Sequence, residues 1–249
     1  MAFYYAITDN KRHTWASLFL MCTAMGTRPF NVVYLPIILY LIYVREGTPI
    51  VPFVKKLFIH ALPALYMGLF FAWLNLARFG NVFEFGHNYL PEFTNDPHGQ
   101  FYIGRVASNL RRLLFYMNLF NFPQFGGRAF WAVSPIVVSY IAYYAVYIAQ
   151  SIKSKKIDWK IDFLILVIPV LVFLHIVFFS FHRTLGGHQF GARYTVDVLP
   201  TVYLGLLLIL KKLPPENKIY LNFAPFLFGL LLNFFGSIMF FLDYFGNNP

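Results

Sequence analysis

Three short stretches hold the residue types that could do chemistry in this chain. The first is Gly26-Thr27-Arg28-Pro29, a guanidinium beside a helix-breaking proline. The second is Arg78-Phe79-Gly80-Asn81, followed by Glu84 and His87. A carboxylate and an imidazole suit proton transfer, although this spacing does not establish it. The third runs from His182 and Arg183 through Gly186, Gly187 and His188 to Phe190-Gly191-Ala192-Arg193-Tyr194, Asp197 and Pro200. On an α-helix Arg193 and Asp197 stand one turn apart. They either form a structural ion pair or make a basic pocket, with Arg193 holding a phosphate and Asp197 orienting it. Arg28 belongs either to a plain interfacial hairpin or to a polar cavity below the surface. His188 is either a phosphate or sugar contact or an ordinary solvated loop histidine. The residues identify no cofactor: there is no HExxH, phosphate loop, dinucleotide fingerprint or Ser/His/Asp order. Cys22 is the single cysteine and forms no internal disulfide.

The elements that must position these groups are membrane helices. Of the 249 residues, 59% are hydrophobic and only 12% are charged, whereas a soluble domain carries about twice that charge. A soluble enzyme and a disordered chain are excluded. Apolar runs of spanning length lie at roughly 59–78, 130–150, 161–181 and 219–241, with shorter ones at 14–26, 30–43 and 195–210. The fold class is therefore all-α. The expected architecture is a polytopic transmembrane helical bundle of about seven membrane segments, some short or re-entrant, forming one membrane domain over 1–249. His175 falls inside a span and suits a helix–helix hydrogen bond better than ligation.

A net charge of +10 would suggest nucleic acid in a soluble protein, but here the lysines mark topology. Lys11, the Lys55/Lys56 pair, the cluster from Lys153 to Lys160, and the cluster from Lys211 to Lys218 all fall on one side if each segment crosses once. The positive-inside rule makes that side cytoplasmic, with the N-terminus inside and the C-terminus outside. Nucleic acid is not an expected partner; membrane lipid is. Arg28, Arg78, Arg105, Arg111, Arg112, Arg128, Arg183 and Arg193 gather on the opposite, lysine-free side. Guanidinium is the better fork for phosphate or carboxylate, and it also pairs with lipid headgroups at interfaces. Within the long outer stretch, 101–120 reads as an outer-face amphipathic helix. It sets Arg105, Arg111 and Arg112 against Val106, Leu110, Leu113, Leu114 and Met117. At the N-terminus, Met21 before Cys22 argues against a lipoprotein cleavage box, and apolar residues 2–7 read as the end of an earlier helix, implying an upstream part.

The Thr27-Arg28-Pro29 step, the Arg78-Phe79-Gly80-Asn81-x-Phe83-Glu84-Phe85-Gly86 loop and the Phe190-Gly191-x-Arg193-Tyr194-x-x-Asp197-x-x-Pro200 entry resemble bacterial GT-C-type membrane glycosyltransferases. The likeness is to their dolichyl-phosphate-mannose-protein mannosyltransferase-like and arabinosyltransferase-like branch, over its middle and C-terminal part. The resemblance implies an inverting transferase that uses a polyprenyl-phosphate-linked sugar at the outer face of a bacterial plasma membrane. It implies a catalytic acid in a first outer loop, often beside a divalent metal. Those residues have no counterpart here, so the catalytic group stays unassigned. Carried over by position, only Arg28, Arg193, Tyr194 and Asp197 are candidates for the donor-phosphate or cavity-lining part; Glu84, His87 and His188, read from residue type alone, are candidate outer-loop contacts. The alternative is a non-catalytic multipass protein: a lipid-binding or flippase-like subunit, or a small transporter. A transporter should place polar groups near mid-membrane on several helices, whereas these spans hold chiefly His175.

Overall fold

Among the described residues, prolines open several helices and the glycines Gly47 and Gly80 cap two of them. Pro36, Pro63, Pro91 and Pro200 each sit in a first helical turn, where a missing N–H costs nothing. The computed structural model describes residues 1–8, 10, 13–117, 128–154, 159–186, 190–191, 193–213 and 220–246. Among them, the single piece of β-structure is an isolated antiparallel bridge between Phe101 and His182. The chain divides into two units, Met1–Gln100 and Phe101–Pro249.

The first unit contains α1 (Ala2–Ile7), α2 (His13–Thr27), a three-ten helix (Pro29–Tyr34), α3 (Leu35–Glu46), α4 (Ile50–His60), α5 (Leu62–Phe79) and the short α6 (Pro91–Thr94). Helix α2 packs on α5 and α1, and α1 packs on α3. Arg45 ties three of these together. Its guanidinium donates to the Tyr5 and Thr8 carbonyls at 3.1 and 3.0 Å, and to the Thr14 hydroxyl and Glu46. A cation thus serves the orphan carbonyls at the end of α1.

The second unit contains α7 (Val106–Phe115), α8 (Phe130–Val133), α9 (Pro135–Ser154), α10 (Trp159–Ser180), a three-ten helix (Arg193–Val198), α11 (Leu199–Lys212) and α12 (Tyr220–Gly246). Helix α11 lies between α9 and α10, burying Tyr140, Tyr143, Ile168, Val172, Val202 and Ile209. At one end of these helices, Asp162 is 3% exposed and meets Lys212 at 3.3 Å. Among its described residues, helix α12 buries Gly229, Leu232 and Gly236, and Asn233 Nδ2 donates to the Val133 carbonyl at 3.0 Å. A Cβ on Gly229 would lie 2.5 Å from Pro135, and one on Gly236 2.1 Å from the Phe190 ring. Small residues here permit the close approach that membrane helices use in place of hydrophobic burial.

Six helical stretches among the described residues are long and apolar enough to cross a membrane: Pro29–Glu46, Leu62–Phe79, Pro135–Ser154, Asp162–Ser180, Arg193–Lys212 and Phe223–Asp243. With their large apolar side chains exposed, they make this a membrane protein. The expected segment at 14–26 is the 15-residue α2, about 22 Å long and shorter than a hydrocarbon core of about 30 Å. Between the second and third expected segments stands α4, a helix that the sequence did not disclose. The amphipathic stretch expected over 101–120 is a three-ten turn, Ile103–Arg105, leading into α7. Leu113 of α7 is buried while Arg111 and Arg112 are exposed; 118–127 lie outside the described residues.

Candidate functional site: the arginine-bearing end of the second unit

Helix α10 ends at Ser180 with carbonyls that need donors. Asn109 of α7 supplies them: its Nδ2 donates to the carbonyls of Ser180 at 3.0 Å and His182 at 2.9 Å. The Tyr102 N–H donates to the Phe181 carbonyl at 2.9 Å. At its other end, α7 receives the Trp131 indole N–H on the Leu114 carbonyl at 2.7 Å. Helix α7 is therefore docked on protein through one face, while Arg111 and Arg112 remain on the exposed face.

The three-ten helix Arg193–Val198 packs on the same end of α10. Tyr194 stacks on Phe179 with centroids 5.3 Å apart and planes at 17°, and meets His182 edge-on at 5.1 Å. Phe101 meets the other side of the network, 5.3 Å from His182. His182 is 2% exposed, and its Nδ1 lies 2.8 Å from the Thr184 carbonyl and 3.1 Å from its amide. Tyr194, expected as a cavity residue, is thus the aromatic link that fastens Arg193's helix to α10.

The expected Arg193–Asp197 pair does not form among the described residues: Arg193 is exposed and Asp197 half-buried. The reason is geometric. At about three residues per turn, positions four apart point about 120° apart, whereas on an α-helix they would share a face. Arg128 is 4% exposed and sits beside two rings, 5.7 Å from the Tyr116 centroid and 5.1 Å from that of Phe190. Arg105, Arg111, Arg112, Arg128, Arg183 and Arg193 all belong to elements at this end. Lys153 and Lys212 stand at the opposite ends of α9 and α11. His188 lies outside the described residues.

The remaining expected residues belong to the first unit. Arg28 is half-buried and extended (φ −144°, ψ 94°), between α2 and the three-ten helix that starts at Pro29. The Ala24 carbonyl beside it accepts from the Arg28 N–H at 2.9 Å and from Asn31 Nδ2 at 3.2 Å. The loop after α5 is a built turn. Gly80 takes φ 70° and caps the helix. Arg78 lies 4.9 Å over the Phe79 ring, and the Phe83 N–H donates to Asn81 Oδ1 at 2.9 Å. Glu84 accepts from the Gly86 N–H at 2.7 Å and from Asn88 Nδ2 at 2.6 Å. The Asn88 amide, more than any other group, holds the Glu84 carboxyl below its usual pKa. His87 packs its ring 6.2 Å from Phe93. These are the contacts of a turn brace, and the depressed pKa suits Glu84 poorly to act as a general acid.

Among the described residues, no group of three or more His, Cys, Asp or Glu could hold a metal ion. Asn109, Thr184 and Asn31 were not singled out from sequence. Asn109 did leave a signal, since it falls between Val106 and Leu113 on the apolar face of α7, where a polar side chain needs a partner. No protein-family profile, curated protein or solved structure matches this chain.

Proposed function

We propose that this chain is the membrane part of a GT-C-type glycosyltransferase. Its arginine-bearing end holds the phosphate of a polyprenyl-phosphate-linked sugar at the outer face of a bacterial plasma membrane. The observation that carries this is the convergence of two arginine-bearing elements, α7 and the helix Arg193–Val198, on one end of α10. Arg111, Arg112 and Arg193 are exposed there, and none of their guanidiniums has an ion pair or hydrogen bond among the described residues. Three unengaged guanidiniums in a lysine-free region suit the oxygens of a phosphate ester.

In this reading the acceptor hydroxyl attacks the anomeric carbon, the bond to the donor oxygen breaks, and the polyprenyl phosphate leaves with the electron pair. Guanidiniums at the departing phosphate favour that charge as it develops. The base that takes the acceptor proton is not assigned to a residue. The lysine pattern supports a topology with the lysine-bearing ends of α9 and α11 in the cytoplasm and the C-terminus outside. The second reading, a non-catalytic lipid-binding subunit, draws support from Glu84, whose oxygens are both engaged in a turn.

Binding of a polyprenyl phosphate to the purified protein in detergent, followed by native mass spectrometry, tests the phosphate site. Changing Arg111, Arg112 and Arg193 together to Gln should weaken binding by at least about tenfold, the loss of one charge-assisted hydrogen bond. Unchanged affinity would remove the site. Binding without sugar release from a polyprenyl-phosphate sugar donor would favour the non-catalytic subunit.

A further inference from the structure

Helix α4 has a role that the arginine-bearing end does not explain. Its inner side is engaged: Phe53 is 6% exposed and meets the Tyr43 ring edge-on at 5.2 Å, and Lys56 Nζ reaches Glu46 at 3.1 Å. Its outer side is bare. Val51, Val54 and Phe58 are exposed on α4, followed by Leu62, Leu65, Leu69, Trp73 and Leu76 on α5. The steps between these positions are three, four, four, three, four, four and three, so one apolar stripe runs through both helices. At 1.5 Å per residue it is roughly 38 Å long, against a hydrocarbon core of about 30 Å. Helix α5 alone, with 18 residues, takes up nearly all of that thickness. The stripe therefore outruns the core, and the excess is α4. The helix is interrupted where the two meet, at Ala61, just before Pro63, which has no N–H to continue the ladder.

Two further features say what covers this excess. Lys55 adjoins the stripe, is exposed, and has no partner among the described residues. Helix α4 carries Lys55, Lys56 and His60 and no acidic residue. An apolar face edged by ammonium groups, continuous with a lipid-length helix, has the composition of an interfacial amphipathic helix.

We propose that α4 is a membrane-surface foot. It lies in the headgroup–acyl boundary of the leaflet on the lysine-bearing side, with Val51, Val54 and Phe58 in the acyl region and Lys55 at anionic lipid phosphates. This does not depend on the glycosyltransferase reading. Lys56 is held by Glu46, so Lys55 supplies the lipid-directed charge, about fivefold in preference for anionic over neutral headgroups.

The test uses the full chain with Cys22→Ser, then Phe58→Cys or, if that variant does not fold, Val51→Cys. The cysteine is spin-labelled and the protein reconstituted in 7:3 phosphatidylethanolamine–phosphatidylglycerol vesicles. Collision with oxygen and with a water-soluble nickel chelate gives the depth of the label. The expected ratio lies between that of a label at position 69 on α5 and that of one at position 98 in the loop. Adding Lys55→Glu, or replacing phosphatidylglycerol with phosphatidylcholine, should move the label outward. A ratio equal to that at position 98 overturns the proposal, because the stripe then faces water. Low collision with both reagents also overturns it, because protein then covers the stripe. Depth unaffected by Lys55→Glu and by lipid charge overturns the assignment of Lys55.

Discussion

Replacing Asn109 with Leu keeps the volume of the side chain and deletes the two donors that hold α7 on the end of α10. Asn109 is 5% exposed, and its amide serves two carbonyls at 2.9 and 3.0 Å. A buried polar group left without its partner costs about 1–3 kcal/mol. Some water access at a helix end recovers part of the sum, so the expected loss is about 2–4 kcal/mol. Because the bonds join α7 to α10 rather than running within either helix, the loss should appear first as local undocking of α7. Hydrogen exchange followed by mass spectrometry on the detergent-solubilised protein reads this directly. Amides of 106–115 should exchange roughly 30- to 900-fold faster, the same energy expressed as an equilibrium constant, while the middle of α10 stays protected. Acceleration below threefold across 106–115 would refute the view that Asn109 is what docks the helix. Equal acceleration throughout the second unit would show instead that α7 and the bundle unfold together.

Two further outcomes follow from the polar contacts. Asp162→Ala should destabilise the second unit by about 1–3 kcal/mol, because the buried carboxylate meets Lys212 at 3.3 Å and hydrogen-bonds the Tyr147 hydroxyl. Thermal melts of Asp162→Asn with Lys212→Met should show a smaller loss than Asp162→Ala alone, and a larger one would refute the pairing. Glu84 has a depressed folded-state pKa, first through Asn88 and then through backbone N–H donors. Its contribution is therefore full above the ordinary carboxylate pKa of about 4.3 and lost as pH falls through the folded value. Limited proteolysis within 81–89 should accelerate on acidification through that window, and Glu84→Gln should remove the pH dependence.

What could be read from sequence was what runs of adjacent residues determine. Apolar stretches located α5, α9, α10, α11 and α12, since length and hydropathy are local quantities. Lysine and arginine positions disclosed two charge classes, and in the second unit they stand at opposite helix ends. Helix α4 escaped notice because Lys55 and Lys56 stand in the sequence as a topology marker ahead of an apolar run, although every residue from Ile50 to His60 is helical. The Arg193–Asp197 pairing failed on one local choice, three-ten over α, which four-residue spacing cannot reveal. Asn109 and the Ser180 carbonyl are 71 positions apart, so their bond belongs to the fold rather than to any motif. The Arg78–Gly86 stretch looked like reactive chemistry from its residue types. Cap, Asx turn and ring stacking engage most of its polar groups.

The small buried side of α12 bears on how the chain is built. A helix whose buried side is two glycines and a leucine, with one hydrogen bond from Asn233 to the Val133 carbonyl, gains less from its neighbours than α11 does, yet its own apolar length is enough to hold it in lipid. Such a segment should enter the bilayer on its own and join after α9, α10 and α11 have interlocked. Synthesis stopped before Tyr220 should therefore release a protein whose three-helix centre already resists protease, with α12 arriving as the last piece.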